Sequence, residues 1–394
     1  MRSIEIFSGA GGLAKGLELA GFEHLAFVEH NKHACASLAA NFDPAKVFHG
    51  DIKDFDLNGI NSIDVVAGGP PCQPFSLGGK HKADQDSRDM FPFAIRAIEK
   101  LTPKAFIFEN VKGLLRPSFS DYFEYIILRL TYPGFSAKNT TTWQAHLEQL
   151  RKVNNMSYAG IKYNVKFKLI NAADYGIPQT RERVVIVGIR ADLDKIWSFP
   201  ETTHSEDRLL WEMYVTGEYW KKHHVSAAKR PKIETTLTEK LNRLKDRYSL
   251  FEPENMPWAT VRDALHDVPD PCKKHGIEDH IFKAGARSYP GHTGSDYDWP
   301  SKTIKAGGHG VPGGENMIRH ADNSIRYFTV FEAKKIQTFP DNFIIKGAWS
   351  EAMRQIGNAV PVRLAEIFGH HLIETLHTQK SHEGQSLTKK ILKN

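Results

Sequence analysis

Cysteine is scarce in this chain: Cys35, Cys72 and Cys272 are its three, and no two are spaced as a pair. That excludes a disulfide framework and a structural zinc site, gives no metal to expect, and points to a reducing compartment. Long apolar runs are also missing. No stretch approaches the roughly 20 residues that span a bilayer, and Met1-Arg2-Ser3-Ile4 enters a strand at once, so a cytoplasmic protein without signal peptide or membrane contact is expected. Charge of one sign is not in large excess. Lys and Arg number 52 against 46 Asp and Glu, leaving +6 and a pI near 8.9. This balance favours a polyanionic partner only modestly. At 394 residues there is room for one large and one smaller domain, each with its own core.

What the chain does have is alternation. Apolar runs near Ser3–Phe7, Leu25–Val28, Lys46–Phe48, Ile63–Gly68 and Ala105–Glu109 alternate with helical patterns near Gly12–Ala20, Lys32–Asn41 and Asp89–Lys100. The pattern predicts an α/β fold with a doubly wound, mostly parallel sheet. In such sheets ligands bind outside the carboxyl ends of the strands, and Phe7, Glu29, Asp51, Cys72 and Glu109 all fall there. Residues 131–157 exceed a usual connection and carry a helical pattern over Trp143 to Val153, read as an inserted surface helix or as a contact to a nucleic-acid backbone.

The first run opens into Phe7-Ser8-Gly9-Ala10-Gly11-Gly12-Leu13. Glycines permit positive φ, and a helix amino end offers free N–H groups, so this reads as a nucleotide-binding turn, although its spacing departs from G-x-G-x-x-G. Glu29, ending the second run, stands where a carboxylate reaches the ribose hydroxyls of an adenosine-containing ligand. Glu29 and Asp51 could equally be solvated loop carboxylates or helix caps. After the fourth run comes Pro70-Pro71-Cys72-Gln73-Pro74-Phe75-Ser76. Prolines hold φ near about −65° and lower the entropy lost on folding, which suits a nucleophilic thiol. The alternative is a small apolar Cys72 filling the loop base.

These segments, with Phe108-Glu109-Asn110-Val111, Ala173-Asp174-Tyr175-Gly176-Ile177-Pro178-Gln179-Thr180-Arg181-Glu182-Arg183 and Gln355-Ile356-Gly357-Asn358-Ala359-Val360-Pro361, resemble in their order the motifs of the C5-cytosine DNA methyltransferases of restriction-modification systems. The resemblance spans residues 1–130, 165–195 and 320–375. It implies a sheet of the S-adenosylmethionine-dependent methyltransferase type with a smaller target-recognition domain. The expected divisions are a catalytic and cofactor domain over 1–198, a recognition domain over 199–340, a returning helical region over 341–376 and a polar tail over 377–394.

The resemblance also implies roles. Cys72 would attack carbon 6 of a flipped cytosine and form a covalent intermediate. Glu109 would share a proton with the N3 edge, its pKa raised by a dry pocket, or be a plain strand-end carboxylate. Arg183, with Arg181, would bind the base or its phosphate and hold the thiolate, though Arg181-Glu182-Arg183 also reads as an alternating strand continuing into Val184-Val185-Ile186-Val187. For S-adenosylmethionine the contacts implied are Phe7, Gly9, Ala10, Gly11 and Gly12 along the turn, Glu29 at the ribose, His30 at the adenine face and Asp51 and Ile52 at its edge. Pro71 and Met90 would pack on the ligand, and Asn358 and Val360 would close the site. Double-stranded DNA would meet Gln73, Ser76, Gly78, Lys80 and Arg88 on the Cys72 loop, and Thr303 and Ile304. A monomer acting beside a partner restriction endonuclease is expected.

Between about Pro200 and Met317 the resemblance fades, as it would where the DNA site is chosen. Lys221, Lys222, His223, His224, Lys229, Arg230 and Lys232 cluster near Tyr219 and Trp220, suiting phosphate contacts or a solvated helix face. Gly291-His292-Thr293-Gly294 and Ala306 to Gly314 are groove-approaching loops or plain turns. Arg326-Tyr327-Phe328-Thr329-Val330-Phe331-Glu332 departs from the family pattern by Phe331, where arginine is common. Two other readings stand beside the main one: a tRNA-methylating relative, and a DNA-binding protein that has lost the chemistry.

Overall fold

Side-chain alternation along β1 (Arg2–Ile6) sends Ile4 and Ile6 to one face of a sheet and Ser3 and Glu5 to the other. The same period of two runs through β2 (Glu23–Glu29), β4 (Val65–Gly68) and β5 (Ala105–Val111). In β5, Phe106 and Phe108 enter one core cluster while Ala105 and Ile107 enter the other. Strands buried on both faces read as near-continuous apolar runs, which is why these were visible in the sequence. With β3 (Val47–His49), β6 (Tyr163–Asn171) and β8 (Glu182–Arg190) they form a seven-stranded sheet of order β3-β2-β1-β4-β5-β8-β6. Its first five strands are parallel, and β8 runs antiparallel to both β5 and β6. The description comes from a computed structural model and covers residues 1–60, 62–71, 89–136, 142–231, 235–249, 251–290, 292–306, 316–320 and 322–378.

Helices cover both faces. On one, α1 (Gly12–Leu19) gives Leu13 and Leu17, and α12 (Val362–His377) gives Leu364, Ala365, Phe368 and Leu372. These two helices meet at a glycine: a Cβ on Gly16 would stand 2.3 Å from the Val362 carbonyl oxygen. On the other face lie α3 (Phe91–Leu101) and α4 (Ser120–Thr131), with Ala94, Ile95, Ile98, Phe123 and Ile126 packed inward. α2 (Lys32–Asn41) links β2 to β3 and is capped by Asn31, whose side chain accepts from the His33 and Ala34 amides. The helix expected in the insertion is α5 (Trp143–Asn154); its Leu147 and Leu150 pack on Leu128 and Tyr132 of the α4 end.

A smaller body follows. It is built from β7 (Gln179–Thr180), β9 (His204–Ser205), α6 (Glu206–Trp211), α7 (Glu218–Lys222), α8 (Thr235–Tyr248), β10 (Met256–Pro257) and α9 (Val261–Ala264). To these are added β11 (Ser295–Asp296), β12 (Ser301–Lys302), β13 (Met317–Arg319), β14 (Ile325–Tyr327), α10 (Val330–Ile336) and α11 (Trp349–Asn358). Val261, Ile304, Ile318, Phe328 and Ile336 form its centre together with Met353 and Ile356 of α11. The chain thus passes from the smaller core to the larger between α11 and α12. No helix among the described residues is long and apolar enough to cross a membrane.

Candidate active site

The turn after β1 is shaped by positive φ at Phe7 (56°), Gly9 (55°) and Gly11 (87°). Glycine takes that conformation without cost, whereas Phe7 is strained there. The Gly9 amide donates to Glu29 Oε2 and the Asn31 amide to Glu29 Oε1, each at 2.8 Å. One carboxylate at the end of β2 therefore ties the turn to the start of α2. Glu29 is only 8% exposed, and a side chain at Gly9 would meet nothing within 4 Å, so the turn borders open space. Ala10, Gly11 and Gly12 are buried; a Cβ on Gly12 would lie 2.4 Å from the Val360 carbonyl oxygen, bringing the turn against the carboxy-terminal segment. Next to Val360, Asn358 is exposed. His30 is exposed beside Glu29, its Nδ1 3.2 Å from Oε1. Asp51 is half-exposed, accepting from the Lys53 amide at 3.0 Å, and Ile52 is buried.

At the end of β4 the chain turns toward the Cys72 loop. Cys72, Gln73, Ser76, Gly78, Lys80 and Arg88 lie outside the described residues, but the approach to them is defined. Asn110 donates its side-chain amide to the Pro70 carbonyl at 2.9 Å, and the Met90 amide donates to the Pro71 carbonyl at 3.1 Å. Pro71 and Met90, assigned together from the sequence, are therefore neighbours. In the sequence Asn110 is one member of the Glu109-Asn110-Val111 motif; its anchoring role needs the fold, because Pro70 is 40 residues away.

Glu109 and Arg183 meet through the antiparallel pairing of β5 with β8. Arg183 stands opposite Val111 and Val185 opposite Glu109, so the two side chains are diagonal neighbours on one face. Arg183 Nε lies 2.8 Å from Glu109 Oε1, with both side chains 14% exposed. The N–H is not aimed at that oxygen, which has no hydrogen bond of good geometry, so the contact is mainly charge on charge. Gly69 borders it: a Cβ there would be 3.8 Å from Glu109 Oε2.

Arg181 feels the charges of both Glu109 and Arg183, but its hydrogen bonds go to backbone. It is 1% exposed, and its guanidinium donates to the Gly357 carbonyl at 3.0 Å and toward the Ile304 carbonyl at 3.5 Å. Burial first, then the Arg183 charge, pulls its pKa well below the usual arginine value. Thr303 donates its hydroxyl to the Thr180 carbonyl, and Ile304 is wholly buried in the smaller core with its amide on Gln179 Oε1. Ile304 therefore presents no free side chain, whereas Thr303 stays partly exposed.

Other expectations also meet packing. Tyr219 and Trp220 are buried rather than displayed. Lys222 and His223 are spent on Asp263 at 2.6 and 3.0 Å, and Arg230 lies over Trp220. Phe331 is buried beneath Lys334 and Lys335. A cavity of about 440 Å³ between Leu265–Pro271 and the β13–β14 hairpin shares no residue with the site. Sequence reasoning also missed Glu5, a fully buried carboxyl beside Glu29 whose Oε2 has no partner among the described residues. A lone acid inside the run Ile4 to Phe7 was the available signal.

The C-5 cytosine-specific DNA methylase profile matches residues 1–146 and 137–374. Type II methyltransferase M.NgoMIV of Neisseria gonorrhoeae is 30% identical over 379 residues, covering 95% of this chain and 97% of that protein. Type II methyltransferase M.PspPI of Psychrobacter sp. is 31% identical over 378 residues, covering 95% and 79%. Among solved structures, DNMT2 of Spodoptera frugiperda is similar in fold, with a TM-score of 0.55 at 16% identity over 96% of this chain and 99% of that one. Dnmt2 of S. pombe gives the same TM-score at 15% identity. A profile matched almost end to end, and a relative 30% identical that is covered to 97% of its length, place the chain in the C-5 cytosine-specific DNA methylase family.

Proposed function

We propose that this DNA cytosine-5 methyltransferase works through Cys72 on a cytosine turned out of duplex DNA, with Glu109 and Arg183 as the groups that manage charge on the ring. Carbon 5 of cytosine is a weak nucleophile. Addition of the Cys72 thiolate to carbon 6 pushes an electron pair into the ring, and negative charge gathers along N3 and the exocyclic edge. Glu109 would share a proton there. Arg183, 2.8 Å from it, would bind the base and keep the carboxyl in place. After transfer the carbon 5 proton leaves to water or hydroxide, and the electron pair returns through carbon 6 to expel the thiolate.

S-adenosylmethionine, when bound, supplies the electrophilic methyl group. The chain's own features fit such a donor: Glu29, buried yet facing the glycine turn, for ribose hydroxyls; the open space at Gly9; and Asn358 exposed beside the turn. Asp51, Ile52, His30, Pro71 and Met90 would complete the binding surface. Because the named relatives are Type II methyltransferases, we read the protein as the modification partner of a restriction endonuclease, acting on double-stranded DNA at one short site.

The observation that carries the reading is the Glu109–Arg183 pair beside a loop entrance pinned by Asn110. Incubation with labelled S-adenosylmethionine and a DNA holding every short site, followed by mapping of modified cytosines, tests it. A duplex with 5-fluorocytosine at the mapped position should then trap an adduct through Cys72. Attachment at another side chain, or methylation of tRNA in place of DNA, would overturn it.

A further inference from the structure

We infer that Arg181 is a positioning residue that joins the DNA-side segment 301–306 to the cofactor-side helix end at Gly357 and Asn358, so that duplex and cofactor strengthen each other's binding. The inference rests on the function proposed above and on the resemblance that expects DNA at Thr303: Thr303 is partly exposed at one end of this junction, and Asn358, on the methyl donor's side, is exposed at the other.

The segment is fixed first to the stretch that leads into β8 of the large sheet. β12 pairs in parallel with β7, Ser301 beside Gln179 and Lys302 beside Thr180. Thr180 donates its hydroxyl to the Ser301 carbonyl at 3.2 Å, Thr303 returns its own to the Thr180 carbonyl at 2.9 Å, and Gln179 Oε1 accepts the Ile304 amide at 3.1 Å. Beyond Ile304, Asn316 clasps the Lys305 backbone, accepting from its amide at 3.0 Å and donating to its carbonyl at 3.1 Å.

The helix end is fixed to the same segment. A Cβ at Gly357 would stand 2.7 Å from the Ala306 nitrogen and 2.9 Å from the Lys305 carbonyl oxygen, so the two backbones touch with no room for a side chain. The last carbonyls of a helix lack intrahelical partners and carry partial negative charge. In α11 they are met by buried groups from other parts of the chain: Gln337 Nε2 donates to Ile356 at 2.8 Å, and Arg181 donates to Gly357 at 3.0 Å. That partial charge offers a physical reason for a buried guanidinium with carbonyl acceptors. The second arm of Arg181 points to the Ile304 carbonyl. One planar cation thus ends at both backbones, one residue from Asn358 and one from Thr303.

A junction held this way moves as a unit. Ordering of segment 301–306 on DNA orders the Gly357–Asn358 step, and linkage requires the reverse effect to be equal. Arginine's fork is needed because it reaches two carbonyls at once.

The test measures affinity for S-adenosylhomocysteine by calorimetry, with and without a duplex carrying the mapped site. Wild type should bind at least about fivefold tighter with the duplex present, at the lower end of ordinary coupling. Arg181→Met, which keeps length and loses both donors, should reduce that ratio below about twofold, and Arg181→Lys should fall between. Should Arg181→Met fail to fold, Gln337→Met loosens the same helix end and should lower the ratio. Wild-type methyl transfer with an unchanged ratio in the folded variant, or with no coupling in wild type, overturns the junction alone. No methyl transfer by wild type overturns the proposed function and the junction with it.

Discussion

Asn110 holds the Pro70 carbonyl at 2.9 Å from within β5, while its own Oδ1 accepts the Val111 amide at 2.8 Å. Two residues before Cys72, the loop is therefore tied to the strand that carries Glu109. Replacing Asn110 by Ala leaves a buried carbonyl without its donor, at a cost of about 1–3 kcal/mol. It also frees the base of the nucleophile's loop. Misplacement by about 1 Å can cost on the order of 10²-fold in rate, so single-turnover methyl transfer by Asn110→Ala should fall by that order. Cofactor affinity should change little. A variant with wild-type rate would show that Cys72 is positioned without this tie.

The Glu109–Arg183 pair makes a different prediction because each partner is the other's main compensation in a nearly buried place. Glu109→Gln keeps the shape and removes the charge and the shareable proton. General acid–base assistance is worth roughly 10²–10⁴-fold, and transfer should slow within that range. Arg183→Met should be comparably damaging. The double variant should be far less than multiplicatively worse, since residues acting as a unit are not additive. Multiplicative losses would mean that the two side chains act apart.

How much of this was legible beforehand follows from the range of each interaction. Strands such as β5 declared themselves because Phe106, Ile107 and Phe108 bury both faces of the sheet. Glu29 and Glu109 could be named because strand ends are where such sheets bind ligands. The junction at Arg181 could not be read, since Ile304 and Gly357 are 123 and 176 residues away from it. Tyr219 and Trp220 misled for a related reason: aromatics between lysines look like a binding surface, and only packing against Leu209 and Met213 shows them to be core.

Glu5 yields a pH prediction. Burial, and then the Glu29 charge, push its carboxyl well above the ordinary glutamate value. In the unfolded chain it ionises near about pH 4.3; in the folded protein it holds its proton to higher pH. Above that pH the folded state binds more protons than the unfolded one, so this residue lowers stability as pH rises toward its folded pKa. Glu5→Gln removes the penalty. Its urea midpoint should exceed wild type at pH 7.5, and the gain should shrink toward pH 4. A gain that did not vary with pH would mean that Glu5 is charged in the fold.

His146 works in the opposite direction. It sits on α5 with Nδ1 3.2 Å from the Tyr125 hydroxyl, against the Phe135 ring. Burial, with the Arg129 charge second, lowers its pKa from 6.5 to about 4. Between those values the unfolded chain takes up a proton that the folded chain refuses, so acidification destabilises the protein through this group. The loss is complete near pH 4 and amounts to no more than about 2 kcal/mol after screening. His146→Gln should flatten the stability profile between pH 6.5 and 4. A profile as steep as wild type would place the acid sensitivity elsewhere.

Gly16 sets two magnitudes against each other. Alanine is a better helix former than glycine by about 1 kcal/mol, so Gly16→Ala in α1 ought to stabilise if space allowed. It does not: the new Cβ would lie 2.3 Å from the Val362 carbonyl oxygen and 2.4 Å from the Ala365 Cβ. Neither is the end of a flexible side chain, so α1 and α12 must separate. Overpacking of a close-packed interior costs about 1–3 kcal/mol, which outweighs the helical gain. Thermal or urea unfolding of Gly16→Ala should show a net loss. Gly59→Ala is the control, because nothing lies within 4 Å of the added atom, and it should be neutral or slightly stabilising. Equal behaviour of the two variants would show that α12 has room to move away from α1 without cost.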